Sequence, residues 1–507
     1  MKKKFYVTTA ISYVNDAPHL GHAYEAVAAD AMARYKRLKG YEVFFLTGTD
    51  EHGNKITQAA KEKNITPAQL VDKMVTCFQN LWKKLGISYD DFIRTTELRH
   101  TKVVSKIFKR LYEQGDIYKG TYKGWYCLPC ESFWLESQLK EGGLCPECDR
   151  EVKKIEEESY FFRLSRYEKP LLEYFKDHPR FVLPSSRKNE AVEFIKRGLK
   201  DTCVTRLRLD WGIPCPVNKN HSIYVWIDAL FNYISALGYG LDEEKISSFW
   251  PADVHLIGKD ILRFHAVIWP ALLMALGIEL PRMVFVHGFW KIKGERMSKS
   301  KGIVVDPEEM VKEYGADRLR YFLLREVSFG GDANFSPSLF TKRVNSDLAN
   351  DLGNLLNRTI PLVARYCQGK VPRPSEEKNV LKEKIQEILL RLEQAMNILS
   401  FSEALSSIWE IVKLANLYID RRAPWQLAKK ENRQKELHTV LYNLLETLRI
   451  LALLLFPFTP TSAQKIWTQL GIEENIENHF LDKATVWGQL KPGIKVRQEP
   501  PLFPRIL

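Results

Sequence analysis

Two spacings of apolar side chains alternate near the start of the chain. A short β-like run at 5–9 is followed by helical apolar spacing over 18–39 and by a second strand-like run at 43–46. A further helix is predicted over 67–86, because Thr66 suits an N-cap and proline follows it at the first helical position. Strand, helix and strand within about 50 residues predict a βαβ unit, whose ligand site should lie at the carboxyl ends of the strands.

The pattern then changes twice. Residues 116–222 contain few long periodic segments and four clustered cysteines, which indicates an insertion that splits the α/β domain. From residue 345 onward the apolar spacing is helical. The elements predicted in this part of the chain are strands at 223–227, 254–257 and 283–286 and helices at 261–276, 348–363, 382–399, 402–419 and 437–455.

Composition narrows the class of protein. The 507 residues suggest about three domains at ~150 residues each. A hydrophobic share of 45% and a charged share of 27% argue against disordered, collagen-like and membrane classes. The longest apolar run, 450–456, is far below the ~18 residues of a membrane span, and no long apolar core follows the N-terminal lysines. We therefore expect a soluble, intracellular protein that contacts no membrane.

The charge balance leaves two interpretations open. Lys and Arg exceed Asp and Glu by 75 to 62, a net charge of +13. An excess of this size suits a polyanionic partner such as a nucleic acid, and it equally suits a solvated basic surface.

A histidine pair stands between the first predicted strand and helix. His19 and His22 lie three residues apart on the same side of the first helical turn, and Gly21 allows a ligand to approach the backbone closely. A helix N-terminus also favours a phosphate. Taken alone, the same residues are compatible with a polar helix start that has no role.

A basic segment follows the last predicted strand of the α/β domain. Residues 291–301 carry five cations and one anion, with Gly294 and two serines among them. This composition is typical of a flexible loop. It could be a solvated basic loop, or a mobile clamp that neutralises a triphosphate as charge develops.

Four cysteines form two CxxC pairs separated by fourteen residues, Cys127 with Cys130 and Cys145 with Cys148. Two such pairs can supply four thiolates to one tetrahedral zinc ion, and four ligands leave no open position for catalysis. The pairs therefore predict one structural Zn²⁺, with disulfides as the alternative. The remaining cysteines are expected to be packing residues: Cys77, Cys203, Cys215 and Cys367.

Both charged motifs resemble those of a known family. His19-Leu20-Gly21-His22 resembles the HIGH signature of class I aminoacyl-tRNA synthetases, and Arg296-Met297-Ser298-Lys299-Ser300 resembles their KMSKS loop. Leu20 stands for Ile, Arg296 for Lys, and Leu230 where many relatives carry Pro. Further stretches are similar to the methionyl-tRNA synthetases: Tyr13–His22, Gly48–Gly53, Tyr224–Ala229, Gly258–Asp260, Phe264-His265, Val286–Gly288 and Ala423–Trp425.

The resemblance implies a fold and a reaction. The fold would be a Rossmann-type, doubly wound parallel sheet, split by a zinc-knuckle insertion and followed by an all-α helical-bundle anticodon-binding domain. The enzyme would activate L-methionine with ATP to methionyl-adenylate, with Mg²⁺ accompanying ATP. It would then transfer methionine to the 3′-terminal ribose of tRNA-Met.

The resemblance also assigns roles to residues. The catalytic motifs would contribute His19, Gly21, His22, Arg296 and Lys299, with ATP also contacted by Lys259, Asp260 and His287. The methionine pocket would comprise Ile11, Tyr13, Asp50 as the ammonium ligand, Trp226, Ala229, Tyr233, Phe264 and His265. The anticodon would be read by Asn354, Arg358 and Trp425, whereas Trp409 is expected in the core.

On this interpretation the chain divides into six segments. They are the first catalytic half 1–115, the insertion 116–222, the second catalytic half 223–285, a KMSKS-loop and stem-contact region 286–344, the anticodon-binding domain 345–480 and a tail 481–507 that packs back on the core. A monomer and an association with a separate C-terminal partner chain both stay open. The expected location is the cytoplasm.

Two rival kinds of enzyme and one kind of non-enzyme are disfavoured. Synthetases for Ile, Val or Leu need a large editing domain, because one methylene discriminates by only ~1–3 kcal/mol, and the insertion is too small for one. A cysteinyl enzyme would use an open zinc at the amino-acid site. A non-catalytic zinc-containing RNA-binding protein would leave the histidine pair and the basic loop unexplained.

Overall fold

The computed structural model describes residues 2–127, 132–134, 136–146, 149–207, 209–296, 305–375 and 379–507. Its strands are β1 Lys4–Thr9, β2 Ser12–Tyr13, β3 Glu42–Asp50, β4 Asp91–Arg94, β5 Ile117–Cys127, β6 Ser132–Trp134, β7 Lys153–Phe162, β8 Val182–Leu183, β9 Thr202–Cys203, β10 Thr205–Leu207, β11 His221–Ile223, β12 Val254–Gly258, β13 Val284–His287, β14 Trp290–Ile292, β15 Glu295–Arg296 and β16 Ala333–Phe335.

The α-helices alternate with these strands in the first part of the chain and dominate the last part. They are α1 Leu20–Leu38, α2 Asn54–Glu62, α3 Pro67–Leu85, α4 Leu98–Glu113, α5 Glu168–Asp177, α6 Ser185–Lys196, α7 Val225–Leu230, α8 Asn232–Ser235, α9 Glu243–Phe249, α10 Trp269–Leu276, α11 Pro307–Tyr314, α12 Ala316–Arg325, α13 Pro337–Arg343, α14 Asn354–Tyr366, α15 Val380–Asn397, α16 Phe401–Arg422, α17 Pro424–Leu427, α18 Gln434–Leu455, α19 Pro460–Gln469 and α20 Leu481–Ala484.

The main sheet is parallel throughout and has β1 at its centre. β1 pairs with β3 on one side and with β12 on the other, and β13 and β8 extend the sheet beyond β12. The chain reaches β3 directly through α1, whereas it reaches β12 only after the insertion. Their carboxyl ends therefore form a topological switch point, where open α/β sheets bind ligands. The predicted parallel α/β core is confirmed.

The insertion contains its own sheet and also returns a strand to the main one. β6, β5, β7 and β9 form an antiparallel sheet in that order. β8, however, pairs in parallel with β13, with Val182 opposite Val284. Because β8 lies inside 116–222, the insertion also contributes a strand to the main sheet.

The strand predicted at 223–227 is wrong. β11 ends at Ile223, and α7 begins at Val225 after Tyr224 as its N-cap. The error has a physical reason, since a short apolar run has too little periodicity to distinguish a strand from a helix. The helical turn matters for the site, because it carries Trp226.

The helix predicted at 261–276 is continuous only in its second half. A 3₁₀ turn at Lys259–Ile261 and a π-helical turn at Phe264–Ile268 precede α10. A π-turn inserts an extra residue into the helical ladder and is frequent at functional sites. Here it carries two predicted pocket residues, Phe264 and His265.

A buried charge cluster joins the sheet to the helical region. Asp30 of α1 binds Arg34 at 2.8 Å and Arg320 of α12 at 2.7 Å. Arg320 also donates to the carbonyls of Pro457 and Phe458, each at 2.9 Å. Burial would raise the pKa of Asp30, but the two guanidinium groups lower it to about 2. The helix that starts at the histidine pair is thereby fixed to the C-terminal helices.

α18 lies at the centre of the helical region. Among the described residues, the helical segment Glu431–Leu455, which includes α18, is the one stretch long and apolar enough to cross a membrane, and 94% of its apolar window is buried inside the structure. Glu446 in this helix binds Arg449 at 2.7 Å and accepts the backbone N–H groups of Gly488, Gln489 and Leu490. Such burial by protein is typical of a core helix, onto which the C-terminal segment packs.

Candidate active site

A cavity of about 480 Å³ opens at the carboxyl ends of the central parallel strands. Its wall combines segments that follow β1, β3, β12 and β13 with the first turn of α1 and with α7. The predicted site residues that line it are Ile11, Tyr13, His19, Gly21, His22, Asp50, Trp226, Asp260, Phe264 and His287. The structure therefore brings together residues that were predicted to contact methionine and residues that were predicted to contact ATP.

The histidine pair caps α1 and lies at the cavity. The Gly21 N–H donates to Nδ1 of His19 at 3.1 Å, and the His19 N–H donates to Nδ1 of His22 at 3.2 Å. Both Nδ1 atoms are acceptors, so the proton of each neutral imidazole lies on Nε2, a donor that suits phosphate oxygens. The rings stack with centroids 3.9 Å apart. A Cβ on Gly21 would lie 2.9 Å from Cε1 of His19, so the glycine admits the ring.

Glu25 is a cavity residue that sequence reasoning missed. Its Oε1 accepts the Ala10 N–H at 2.6 Å, and its Oε2 lies 2.8 Å from Nε2 of His287. Nδ1 of His287 donates to the carbonyl of Gly288 at 2.8 Å. Burial alone would lower the pKa of His287, but the hydrogen bond and charge of Glu25, together with the Gly288 carbonyl and the charge of Asp260, raise that pKa. Glu25 lies one turn after His22, and this spacing was the only signal in the sequence.

Aromatic rings form the apolar side of the cavity. Trp226 and Phe264 stack with ring centroids 4.0 Å apart and an interplanar angle of 13°. Tyr13 lines the same cavity beneath the Lys55 ammonium, which is 5.3 Å from its ring centroid. Asp50 contributes a carboxylate and is only 5% exposed. The arrangement provides an apolar slot beside one anionic group, which suits an amino acid with an apolar side chain.

Tyr233, His265 and Ala229 lie behind this wall and do not line the cavity. Nδ1 of His265 donates to the Ile261 carbonyl at 3.0 Å, so its Nε2 accepts the Tyr233 hydroxyl at 2.7 Å. Burial lowers the pKa of His265 to about 4, which keeps the ring neutral. This bond holds the π-turn that carries Phe264. The direct contact of Tyr233, His265 and Ala229 with a ligand stays a prediction.

A buried carboxylate connects the helix that carries Trp226 to the segment that carries Asp50. Asp228 of α7 lies 2.7 Å from Nδ1 of His52 and 2.6 Å from Nε2 of His100. Burial would raise the pKa of Asp228, but the two histidines lower it. His52 follows Asp50 by two residues, and Asp228 follows Trp226 by two. The contact between His52 and Asp228 therefore fixes the position of the Asp50 carboxylate relative to the Trp226 indole.

The predicted basic loop is described only at its start. β14 and β15 form an antiparallel hairpin, with Lys291 opposite Arg296. Lys299 lies outside the described residues, as does all of 297–304. Lys259, a predicted ATP ligand, does not line the cavity. Its Nζ pairs with Asp332, a second residue that sequence reasoning missed.

Two of the four predicted zinc ligands lie within the described residues. Cys127 and Cys145 are both fully buried in one small cluster with Trp134. Two buried thiols in one cluster are compatible with a thiolate metal site. Cys130 and Cys148 lie outside the described residues, and within those residues no group of three or more His, Cys, Asp or Glu could hold a metal ion. Zinc therefore stays a prediction.

The predicted anticodon residues lie on the surface of the helical region. Asn354 begins α14 and Arg358 follows one turn later. The Arg358 guanidinium is 5.9 Å from the ring centroid of Trp425, whose side chain is 37% exposed, and it pairs with Asp420 at 2.6 Å. Asn354 donates to Asn416 at 3.4 Å. Trp409 is 2% exposed, which confirms its predicted place in the core.

Two family models cover nearly the whole chain. The model of class I tRNA synthetases (M) matches residues 5–156 and 150–360, and the model of the anticodon-binding domain of methionyl tRNA ligase matches residues 369–507. The boundary between the models lies close to the start of the helical region.

Individual proteins are similar over the same length. The methionine–tRNA ligase of Caldanaerobacter subterraneus subsp. tengcongensis is 54% identical and that of Clostridium acetobutylicum 50%, each covering 100% of this chain and 79% or 78% of the relative. The structure of Mycobacterium tuberculosis methionyl-tRNA synthetase in complex with methionyl-adenylate superposes with a TM-score of 0.96 at 43% identity. It covers 99% of this chain and 100% of that one.

Proposed function

The chain belongs to the methionyl-tRNA synthetases, a family of class I tRNA synthetases, and on this premise we propose how its cavity and surface divide the reaction. The resemblance stated from its motifs is confirmed by this membership. The observation that carries the proposal is the shared cavity. The histidine pair of α1 lies at the same cavity as the Trp226–Phe264 slot and Asp50, so an amino acid and a nucleotide fit side by side.

The amino-acid half of the cavity binds L-methionine. Asp50 binds the ammonium group, and the thioether lies against the aromatic rings, where sulfur–aromatic contacts contribute ~0.3–1.5 kcal/mol. Ile11 and Tyr13 complete the apolar wall. Tyr233, His265 and Ala229 lie behind this wall. Their role in the methionine pocket is therefore to position the residues that line it.

The nucleotide half binds ATP, which brings Mg²⁺ with it. A carboxylate oxygen of methionine attacks the α-phosphorus, the bond to the bridging oxygen breaks, and pyrophosphate leaves. Such chemistry depends on position and charge stabilisation, so no protein nucleophile is needed. His19 and His22 donate Nε2–H to the phosphates, while Asp260 and His287 line the same half. Lys259, Arg296 and Lys299 supply positive charge.

The helical region selects the tRNA. Trp425 stacks on a base of the CAU anticodon, and Asn354 and Arg358 bind base edges, as protein side chains do in single-stranded RNA loops. Methionine is then transferred to the 3′-terminal ribose. The test is ATP-dependent charging with methionine of a tRNA bearing CAU and of the same tRNA bearing another anticodon. We expect charging of the first only, and equal charging would contradict the assignment.

The four cysteines hold one structural zinc. Buried Cys127 and Cys145 support this assignment, with Cys130 and Cys148 completing the set. Zinc would supply cross-linking of the insertion and no catalytic step. Elemental analysis of protein purified without chelator should find about one zinc per chain, as four thiolates bind one ion. A zinc-free, folded and active protein would overturn the assignment.

The domain division, the cellular location and the oligomeric state complete the proposal. The six predicted segments define the domain division, with β8 shared between the insertion and the main sheet. We place the enzyme in the cytoplasm, where translation takes place. It acts as a monomer or with a separate C-terminal tRNA-binding chain, and measurement of the mass in solution distinguishes the two.

A further inference from the structure

A single carboxylate at the edge of the cavity binds three donors from three segments. Lys259 Nζ donates to Oδ1 and Oδ2 of Asp332 at 2.8 and 2.7 Å, and Lys291 Nζ lies 2.8 Å from Oδ2. The backbone N–H of Phe289 donates to Oδ1 at 2.9 Å. Lys259 follows β12, Phe289 follows β13 and lines the cavity, and Lys291 belongs to β14, which leads into the KMSKS hairpin.

The backbone around this carboxylate has little freedom. A Cβ on Gly288 would lie 2.1 Å from the carbonyl oxygen of Gly331 and 2.6 Å from the nitrogen of Asp332. β16 starts at the next residue and pairs in parallel with β14, with Ala333 opposite Trp290. The backbone at 331–332 therefore lies in close contact with Gly288, the residue after His287. Asp332 is fixed from both sides, so its carboxylate determines where the two lysines lie.

Charge and exposure indicate why two lysines need such an anchor. The side chains of Lys259, Lys291 and Asp332 are 23%, 32% and 27% exposed, so water screens the pairs only in part. Burial would raise the pKa of Asp332, but the hydrogen bonds from the two lysines lower it below its ordinary value. Lysine side chains lose much rotamer freedom when a ligand orders them, and ordering them beforehand removes this loss from binding.

We propose that Asp332 is a positioning residue of adenylate formation, which holds the ammonium groups of Lys259 and Lys291 ready for the triphosphate of ATP. The inference rests on the proposed function, since it presupposes that ATP occupies the half of the cavity bordered by Phe289. The Lys259 ammonium already lies 4.6 Å from the centroid of that ring. Through Lys291, the same carboxylate connects the cavity edge to the hairpin.

The alternative is an ion cluster that only stabilises the fold. Asp253 offers a matched control, because it has the same kinds of partner at the opposite end of β12. It accepts the Tyr6 N–H at 2.8 Å and pairs with Arg282 at 2.8 Å. An Asp→Asn change at either position removes one charge and keeps an oxygen that can accept the backbone N–H.

The test compares Asp332→Asn and Asp253→Asn in methionine-dependent ATP–pyrophosphate exchange. For Asp332→Asn we expect the KM for ATP to rise about tenfold, as expected when two side chains must be ordered on binding. The KM for methionine should change less than about twofold, because the amino-acid side is untouched. Asp332→Glu should restore part of the ATP affinity. Asp253→Asn should leave both KM values unchanged.

A double-mutant cycle adds a readout that a structural role would not move. In a Lys259→Met background, Asp332→Asn should raise the KM for ATP less than it does in the wild type, because one of its two targets is gone. An unchanged KM for ATP in Asp332→Asn, or equal rises for ATP and methionine, would overturn the inference. Absence of methionine-dependent exchange in the wild type would instead overturn the proposed function.

Discussion

The cavity differs in its construction from the proposed anticodon face, which is the surface formed by Asn354, Arg358 and Trp425. Cavity residues are buried or half-buried and contact one another, as in the pair of Glu25 and His287 and the stack of Trp226 on Phe264. On the anticodon face Arg358 pairs with Asp420, whose side chain is 59% exposed. A small substrate gains affinity from groups that are already ordered, whereas an RNA must displace surface contacts of this kind.

This difference predicts how each region responds to substitution. A change in the cavity should affect one small substrate strongly, because only a few side chains contact that substrate. A change on the anticodon face should affect only the transfer to tRNA, and by a smaller factor. Three substitutions test this contrast, and they are arranged by the expected size of the effect.

The largest effect is expected for Asp50→Ala. Removing one partner of a buried charge pair costs ~2–5 kcal/mol, so the KM for methionine should rise by about two orders of magnitude or more. The KM for ATP should change far less. Pyrophosphate exchange, with one substrate varied at a time, measures both values. Asp72→Ala is the control, because that carboxylate is 65% exposed and pairs with Arg94 away from the substrate. Equal effects on both KM values would contradict the role of Asp50.

An intermediate effect is expected for Trp425→Ala. A base stacked on an aromatic ring gains ~1–3 kcal/mol, so charging of tRNA should fall about 5- to 150-fold. Pyrophosphate exchange should survive, because the ring lies outside the cavity. Leu417→Ala removes another exposed apolar side chain, 42% exposed, from the same region and should leave both activities intact. Loss of both activities in Trp425→Ala would indicate a folding defect and remove the support for stacking.

The smallest effect is expected for Asp420→Asn. The change releases Arg358 and removes a negative charge that repels RNA, at an energy of ~0.2–1 kcal/mol for an exposed pair. The KM for tRNA should fall by up to about fivefold at low salt and less at high salt. Glu410 lies on the same helix as Asp420, and Glu410→Gln, which breaks the pair with Arg391 of α15, should have no such effect. A higher KM for tRNA in Asp420→Asn would mean that the carboxylate orients Arg358 productively.

Much of the fold follows from local patterns. The helix α3 begins after Thr66 and ends before Gly86, whose φ of 70° suits glycine, so both ends were predictable from capping chemistry. The first strands and α1 followed from periodicity. α7 did not, because it spans only six residues, and an apolar run this short lacks the periodicity that would mark a helix.

The site divides in the same way. Residues within ordered motifs, such as His19 and Asp50, could be found from the sequence because their neighbours identify them. Asp332 could not be found in this way, because it lies 73 residues after Lys259 in the chain and only the fold brings the two side chains into contact. Glu25 likewise lies in an ordinary helical turn and acquires its contact with His287 across 262 residues.

Pyrophosphate exchange with the wild-type protein and a panel of amino acids tests directly whether the cavity selects methionine. We expect exchange with methionine alone, because the slot of Trp226 and Phe264 beside Asp50 suits an amino acid with an unbranched apolar side chain and a free ammonium group. Exchange that is supported equally by isoleucine, valine, leucine or cysteine, or exchange with none of the amino acids, would contradict it.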